Sequence, residues 1–392
     1  MSAGAEHAVG KSDEVFRQVR RAALDRAPVS GLTHTFYRYP ARFSPQFAGA
    51  AIDAFSRPGD LVLDPYMGGA TTIVEAIARG RHAVGCDLNS LAVFIARTKT
   101  SVVPVADRDA LRQWADSEVP SFSYWFTPDD LDQFICAHRT QNLSLPSARP
   151  IKKVLALALR SLPGLSVEAA AVARCALLNV GQWALNGGGR HPSLTEFRQR
   201  LRSTVHEMLR GIELLEARVD GRFSSPVLIE DTAARIAEHP PFKDGAKAAL
   251  AVSSPPYPGI HMLYHRWQVD GRRETAAPYW LAECSDGHGA TFYNFAYRNE
   301  NAADKYFAES LKTLAAVRKV LQDGAVFVQL IAFANPKRHL PRYLSNMERA
   351  GFKELRPGRR RIWRDVPSRR WHATLKGALS SSREVVLIHQ AD

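Results

Sequence analysis

Short apolar runs bounded by Gly, Pro or Asp stand at Leu61–Leu63, Ala83–Cys86, Val227–Ile229, Leu250–Ser253 and Ala325–Phe333, and each reads as a buried strand. Phe352–Leu355, Arg361–Trp363 and Glu384–His389 have the composition of closing strands. Helical spacing occupies Val15–Leu24, Gln46–Phe55, Ile73–Arg79, Ala302–Leu321 and Leu340–Ala350. Strands alternating with helices predict an α/β fold. Between residues 105 and 225 the pattern changes: Leu131–Ile135, Lys153–Leu162, Glu168–Leu185 and Leu194–Val219 are helical, and no strand intervenes. That block reads as a helical insertion into the α/β core. The predicted organisation is an N-terminal extension (1–33), a core (34–104 and 226–392) and the insertion (105–225).

Two breaker-rich stretches sit at the ends of predicted strands. In Ser254-Pro255-Pro256-Tyr257 the prolines end the strand, because proline donates no ladder hydrogen bond and its fixed φ turns the chain aside. The C-terminal strand ends of an open α/β sheet face the ligand crevice, so this stretch is either a binding loop or a plain strand-ending turn. The other is Asp64-Pro65-Tyr66-Met67-Gly68-Gly69-Ala70-Thr71-Thr72, which leads from strand to helix. A glycine turn there puts free N–H groups and a helix N-terminus where a ligand can approach. Asp87 ends the next strand, about 20 positions after the glycines, the spacing at which a carboxylate meets a ribose hydroxyl pair.

The pattern narrows the ligand. Asp64 repels a phosphate, and no lysine follows the glycines as a phosphate-binding loop requires. A nucleoside with a cationic or zwitterionic appendage fits, and S-adenosylmethionine fits better than NAD or ATP. The aromatic stretch His34–Pro45 would suit either a core edge or a cap over adenine. Asp231 could bond an adenine amino group or cap the helical turn after it.

Charge adds a partner. With 52 Lys+Arg against 39 Asp+Glu the net charge is +13, which suits a polyanion. Arg356, Arg359, Arg360, Arg361, Arg364, Arg369, Arg370 and Lys376 form the densest basic cluster, interleaved with Trp363 and Trp371. Together with His265, Arg266, Arg272 and Arg273 beside Trp267, they are candidate nucleic-acid contacts, with core packing the rival account for Tyr264 and Trp267. The loop Asn186–Pro192 is either an interhelical linker or a phosphate contact, and Pro278–Asn301 reads as a loop over the site. Cys86, Cys136, Cys175 and Cys284 are too scattered for a disulfide framework or a zinc site, so no metal is expected. No run is apolar enough to span a membrane, and the first residues lack a signal-peptide core, so a cytoplasmic location is expected.

Together these stretches resemble the amino-group DNA methyltransferases, specifically their N4-cytosine branch. Tyr39-Pro40-Ala41-Arg42-Phe43 is similar to that family's aromatic cofactor cap, Asp64–Thr72 to its D-P-F-x-G-x-G-T-T loop, Asp87-Leu88-Asn89 to its acidic strand end, and Ser254–Tyr257 to its S-P-P-Y motif. The resemblance covers residues 34–100 and 226–390, with Ala70 standing where the family carries its second glycine. It implies a Rossmann-like, seven-stranded class I methyltransferase sheet and S-adenosylmethionine as cofactor. Cofactor contacts would come from Tyr39, Pro40, Phe43, Asp64, Pro65, Tyr66, Gly68, Gly69, Thr71, Thr72, Asp87, Leu88, Asn89 and Asp231, and catalysis from Ser254, Pro255, Pro256 and Tyr257. The implied partner is double-stranded DNA with a flipped target base, with a cognate restriction endonuclease as a further expectation and the insertion as target-recognition region. In that scheme Ser254 Oγ and the Pro255 carbonyl hold the amine, and Tyr257 stacks on the base. The alternatives are methylation of adenine N6 or of an RNA guanine amine, and a catalytically silent nucleic-acid-binding module.

Overall fold

The computed structural model describes residues 13–39, 43–123, 142–143, 145–185, 191–221, 224–258, 266–270, 273–285, 302–356, 360–366 and 383–392. Pro40, His265, Arg272, Arg359, Arg369, Arg370, Trp371, the Leu131–Ile135 helix and most of the 186–192 loop lie outside them.

The central sheet contains β1 (Leu61–Asp64), β2 (His82–Asp87), β3 (Val227–Glu230), β4 (Ala248–Ser253), β7 (Leu321–Ala332), β8 (Phe352–Glu354), β9 (Ile362–Asp365) and β10 (Arg383–Ala391). A separate antiparallel hairpin joins β5 (Trp267–Val269) to β6 (Arg273–Thr275). The sheet order is β3-β2-β1-β4-β7-β10-β8, and β9 also pairs with β10. The strands from β3 to β7 run parallel, and β10 runs antiparallel to its neighbours. β8 pairs with β10 at His389–Ala391 and β9 at Arg383–Val386, so the two share the last of seven positions. This is the expected Rossmann-like α/β architecture, with eight strands filling a seven-position sheet. The order runs outward from β1 to β3, then returns across β1 to β4. Loops leaving the C-terminal ends of β1 and β4 therefore part at the switch point, where such sheets open their crevice.

Alternation divides each strand between two cores. Val62, Leu250, Val328 and Ile388 point into one, against Val19 of α1 (Asp13–Leu24), Phe47 and Ile52 of α2 (Pro45–Phe55), and Ile73 of α3 (Thr71–Ile77). Leu63, Ala251, Phe327 and Leu387 point into the other, against Tyr306 and Val317 of α10 (Ala303–Val320) and Tyr343 of α11 (Pro336–Arg349).

The third core is helical. It gathers α5 (Val105–Gln113), which continues through a π turn at Trp114–Glu118, with α6 (Arg149–Arg160), α7 (Val167–Leu185) and α8 (Leu194–Val219). Ser193 and Glu196 form a reciprocal capping box that starts α8 where the periodicity does. Trp267 and Val269 of the hairpin and Leu281 of α9 (Ala277–Ala282) belong to this core. One expectation changes here, since the start of Pro278–Asn301 is helix. For Trp267, 3% exposed, the core-packing account holds. Its indole N–H donates to Tyr37 Oη at 2.7 Å, and its ring covers Gly181, where an added Cβ would fall 2.9 Å from the indole edge. Among the described residues no helix is long and apolar enough to cross a membrane, and no group of three or more His, Cys, Asp or Glu could hold a metal ion.

Candidate active site

Asp64 ends β1 and is buried. Its Oδ1 accepts a hydrogen bond from Ser253 Oγ at 2.6 Å and another from the Tyr66 N–H at 3.1 Å. Burial pushes this carboxyl up to about 6, against the opposing pull of the Ser253 bond. The residue expected to face a cofactor is thus also a brace: it joins the end of β1 to Ser253, the residue just before the S-P-P-Y stretch. Thr72 adds a parallel tie from its hydroxyl to the Val252 carbonyl at 3.1 Å. The Tyr66 hydroxyl donates to Thr313 Oγ1 at 2.8 Å, and Pro65 and Thr71 are buried beside them.

The turn after Asp64 is roofed by Tyr39. A Cβ added at Gly69 would fall 2.9 Å from Tyr39 Cβ, and one at Gly68 would fall 3.1 Å from the ring. Gly68 also has φ +43°, so glycine is required there on both counts. Ala70 adopts φ 61°, ψ 29°, a left-handed conformation that costs an L-residue about 1 kcal/mol. Alanine thus stands at a position whose conformation favours glycine. Buried Lys99 donates to the Gly69 carbonyl at 2.6 Å, a support the sequence did not single out.

Asp87, at the end of β2, holds the other side of the turn. Its Oδ2 accepts from the Gly68 N–H and its Oδ1 from the Asn89 N–H, both at 2.9 Å. Burial pushes it up to about 6, opposed by those two bonds. Its side chain and that of Leu88 remain half-buried. Asn89 caps α4 (Ser90–Thr100) through the Leu91 N–H, donates from Nδ2 to Tyr39 Oη at 3.0 Å and accepts from the Tyr279 hydroxyl at 2.9 Å. Tyr279, on α9, was hidden within what reads as a loop.

Two further predicted cofactor residues have protein partners. Phe43 is buried edge-on against Phe47, with ring centroids 5.7 Å apart. Burial would raise the Asp231 carboxyl, but hydrogen bonds from His239 and the Thr232 N–H, with Arg235 nearby, hold it below its ordinary value. The Thr232 hydroxyl, not Asp231, caps the 3-10 turn Ala233–Glu238.

Beyond β4, Ser254 Oγ lies 2.9 Å from Tyr257 Oη. The Tyr257 hydroxyl donates to Glu384 Oε1 at 3.0 Å, and Arg364 Nε donates to Glu384 Oε2 at 2.7 Å. The loop is pinned further by the Tyr306 hydroxyl on the Pro256 carbonyl at 2.6 Å and the Ala334 N–H on the Pro258 carbonyl at 3.1 Å. Glu384, Arg364 and Tyr306 carry no sequence signal for this role. The Tyr257 ring is 3% exposed and packed in the core beside the sheet, so it does not present a free face for stacking on a base.

Of the described basic candidates, Arg273 and Arg360 are exposed and Arg266 is half-buried. Arg361 pairs with Glu354 through two bonds of 2.6 and 2.8 Å. Arg360 and Arg361 line a groove between α1 and β9 with Arg17, Arg20 and Trp363.

A glycine turn under an aromatic ring, two strand-end carboxylates and a proline-locked loop on the adjacent strand are thus brought together at one end of the Rossmann-like sheet. Residues 14–97 match the N6_N4_Mtase family, described as DNA methylase, a segment that includes Tyr39, the glycine turn, Asp87 and Asn89. The chain is 33% identical over 75 residues to Type II methyltransferase M.MvaI of Kocuria varians, spanning 18% of this chain and 16% of that protein. It is 30% identical over 66 residues to Type II methyltransferase M.MjaII of Methanocaldococcus jannaschii, spanning 17% of this chain and 12% of that protein. The matches therefore cover less than a fifth of these curated relatives. Among solved structures, the rRNA methyltransferase aviRa of Streptomyces viridochromogenes aligns at a TM-score of 0.38 and 10% identity, over 94% of this chain and 96% of that one.

Proposed function

We propose that this protein is a cytoplasmic DNA methyltransferase that uses S-adenosylmethionine to methylate the exocyclic N4 amine of cytosine within a specific sequence. The observation that carries the reading is the 2.6 Å bond from Ser253 to Asp64, which locks the S-P-P-Y loop to the glycine turn. A nucleoside cradle and an amine-binding loop are thereby held as one unit. The site suits the cofactor: Asp64 and Asp87 supply negative charge for a sulfonium and an acceptor for a ribose diol. Tyr39, Gly68, Gly69, Asp87 and Asn89 would hold the nucleoside, and Asp64 would define the methionine end. When bound, the cofactor supplies an electrophilic methyl group on sulfur.

The chain's own residues act on the nucleophile. An amine conjugated to a pyrimidine is weakly nucleophilic, because its lone pair is delocalised into the ring. Hydrogen bonds from its two N–H groups to Ser254 Oγ and the Pro255 carbonyl favour a pyramidal nitrogen with a localised pair. Fixed dipoles of this kind stabilise the transition state without reorganising. A neutral serine suffices, and no cysteine nucleophile is needed. The helical region 105–225 and the arginines of the α1–β9 groove would read and hold the duplex, and a cognate restriction endonuclease is the implied functional partner.

Transfer of tritium from labelled S-adenosylmethionine to duplex DNA, followed by nucleoside digestion, tests this reading. N4-methylcytosine is the expected product. Labelled N6-methyladenine alone would overturn the choice of base, and label in RNA but not in DNA would overturn the substrate class.

A further inference from the structure

Ser254 must present oxygen lone pairs, not its proton, to an incoming amine, yet an isolated hydroxyl can rotate to offer either. Hydrogen-bond accounting around it removes that freedom. Arg364 carries only donors, and its Nε engages Glu384 Oε2 at 2.7 Å, so Glu384 acts as a carboxylate acceptor. The single proton of Tyr257 is given to Glu384 Oε1 at 3.0 Å. At 2.9 Å from Ser254 the tyrosine oxygen can then only accept, so the serine donates to it. The lone pairs of Ser254 are not engaged by Tyr257. Arg364 stands directly opposite Glu384 in the β9–β10 register, and its Nη1 donates to the Ala23 carbonyl at the end of α1, 3.3 Å away. Tyr257 and Glu384 are both 3% exposed, so little water competes for these bonds.

We infer that Glu384 and Arg364 are positioning residues that act through Tyr257 to fix Ser254 as a hydrogen-bond acceptor, making the site selective for an amino group over a carbonyl at the target position. The inference rests on the proposed amine methylation and extends it to a specificity device built from the last strand. Glu384→Gln reverses the chain. Arg364 claims the amide oxygen, the amide N–H turns to Tyr257, and Tyr257 donates to Ser254, whose own proton now points outward. Tyr257→Phe instead leaves Ser254 free to rotate.

The test is equilibrium binding to duplexes carrying the sequence around the methylated position, found by modified-base sequencing of DNA from cells expressing the gene. The target is cytosine or uracil, each opposite an abasic site so that pairing strength does not differ. If the labelled base is adenine, hypoxanthine replaces uracil as the carbonyl probe. Wild type should prefer the amine by roughly tenfold. Glu384→Gln and Tyr257→Phe should each lower that ratio several-fold, leaving only the preference set by the Pro255 carbonyl, and the double variant should match Tyr257→Phe. Should Glu384→Gln fail to fold in a thermal melt, Tyr257→Phe alone decides. A ratio unchanged in the variants, with both affinities lowered alike, would mean a merely structural pair and overturn the inference. Wild-type protein that transfers no methyl group to DNA overturns the proposed function and this inference together. Active wild type with an unchanged variant ratio overturns only the latter.

Discussion

Replacing Ser253 by alanine removes the donor that braces Asp64 and leaves a fully buried carboxyl short of one bond. A hydrogen bond to a charged group is worth about 1.5–3 kcal/mol, and one to a neutral group about 1 kcal/mol. The loss therefore depends on whether Asp64 is ionised. In the wild type its value is raised from 3.8 to about 6, so the native state holds a proton that the unfolded chain has released between those limits. The associated stability is fully present below about pH 4 and is lost as pH rises through about 6, by up to roughly 3 kcal/mol. The Ser253 bond lowers the Asp64 value, so alanine raises it further and carries the loss to higher pH. The stability gap between wild type and Ser253→Ala should thus widen from about 1 kcal/mol near pH 5 to about 2–3 kcal/mol near pH 8. Urea unfolding followed by tryptophan fluorescence at the two pH values measures it, and titrations common to both proteins cancel in the difference. A gap that is equal at both pH values, or smaller near pH 8, refutes Asp64 as a carboxylate braced by this serine.

Other outcomes follow from the same geometry. Gly69→Ala forces a Cβ against Tyr39 Cβ at 2.9 Å and should cost about 1–3 kcal/mol in thermal unfolding, a clash that Tyr39→Ala leaves in place and only Tyr39→Gly, which removes that Cβ, relieves. Asp87→Asn should weaken S-adenosylmethionine binding roughly tenfold by calorimetry. Wild-type affinity should fall as pH drops below about 6 and Asp87 and Asp64 gain protons, while the variant keeps only the shallower dependence that Asp64 leaves. Trp267→Ala should destabilise the protein by about 3–5 kcal/mol, since its ring fills the helical core; a variant that folds normally but binds DNA less tightly would restore its role as a nucleic-acid contact.

How much of this was legible depends on how local each signal is. The run from Leu61 to Ile77 can be read because strand, breaker and helix follow within a few residues and every step has one physical cause. Asp87 is found by spacing along the chain, and the double proline marks the end of β4 without help from elsewhere. The hairpin Trp267–Thr275 escapes notice because three-residue strands are too short to show alternation. Tyr279 escapes because a six-residue helix between polar stretches has no visible period. The carboxylate that orders Tyr257 is 127 positions away and is chosen by the antiparallel insertion of β10 between β7 and β8, a tertiary fact. The arginines are a further case. Composition flags Arg361 as a nucleic-acid contact, but only the fold shows Glu354 across from it.

The position of β10 also orders events in time. The glycine cradle and Asp87 emerge from the ribosome early, and the S-P-P-Y loop follows much later. Glu384, which fixes the Tyr257 proton, lies on the last strand of the sheet, as does the edge against which β8 and β9 close. A chain that lacks β10 lacks Glu384, and the Tyr257 hydroxyl is then left without the carboxylate that takes its proton. Completion of the site is in this way made contingent on completion of the fold.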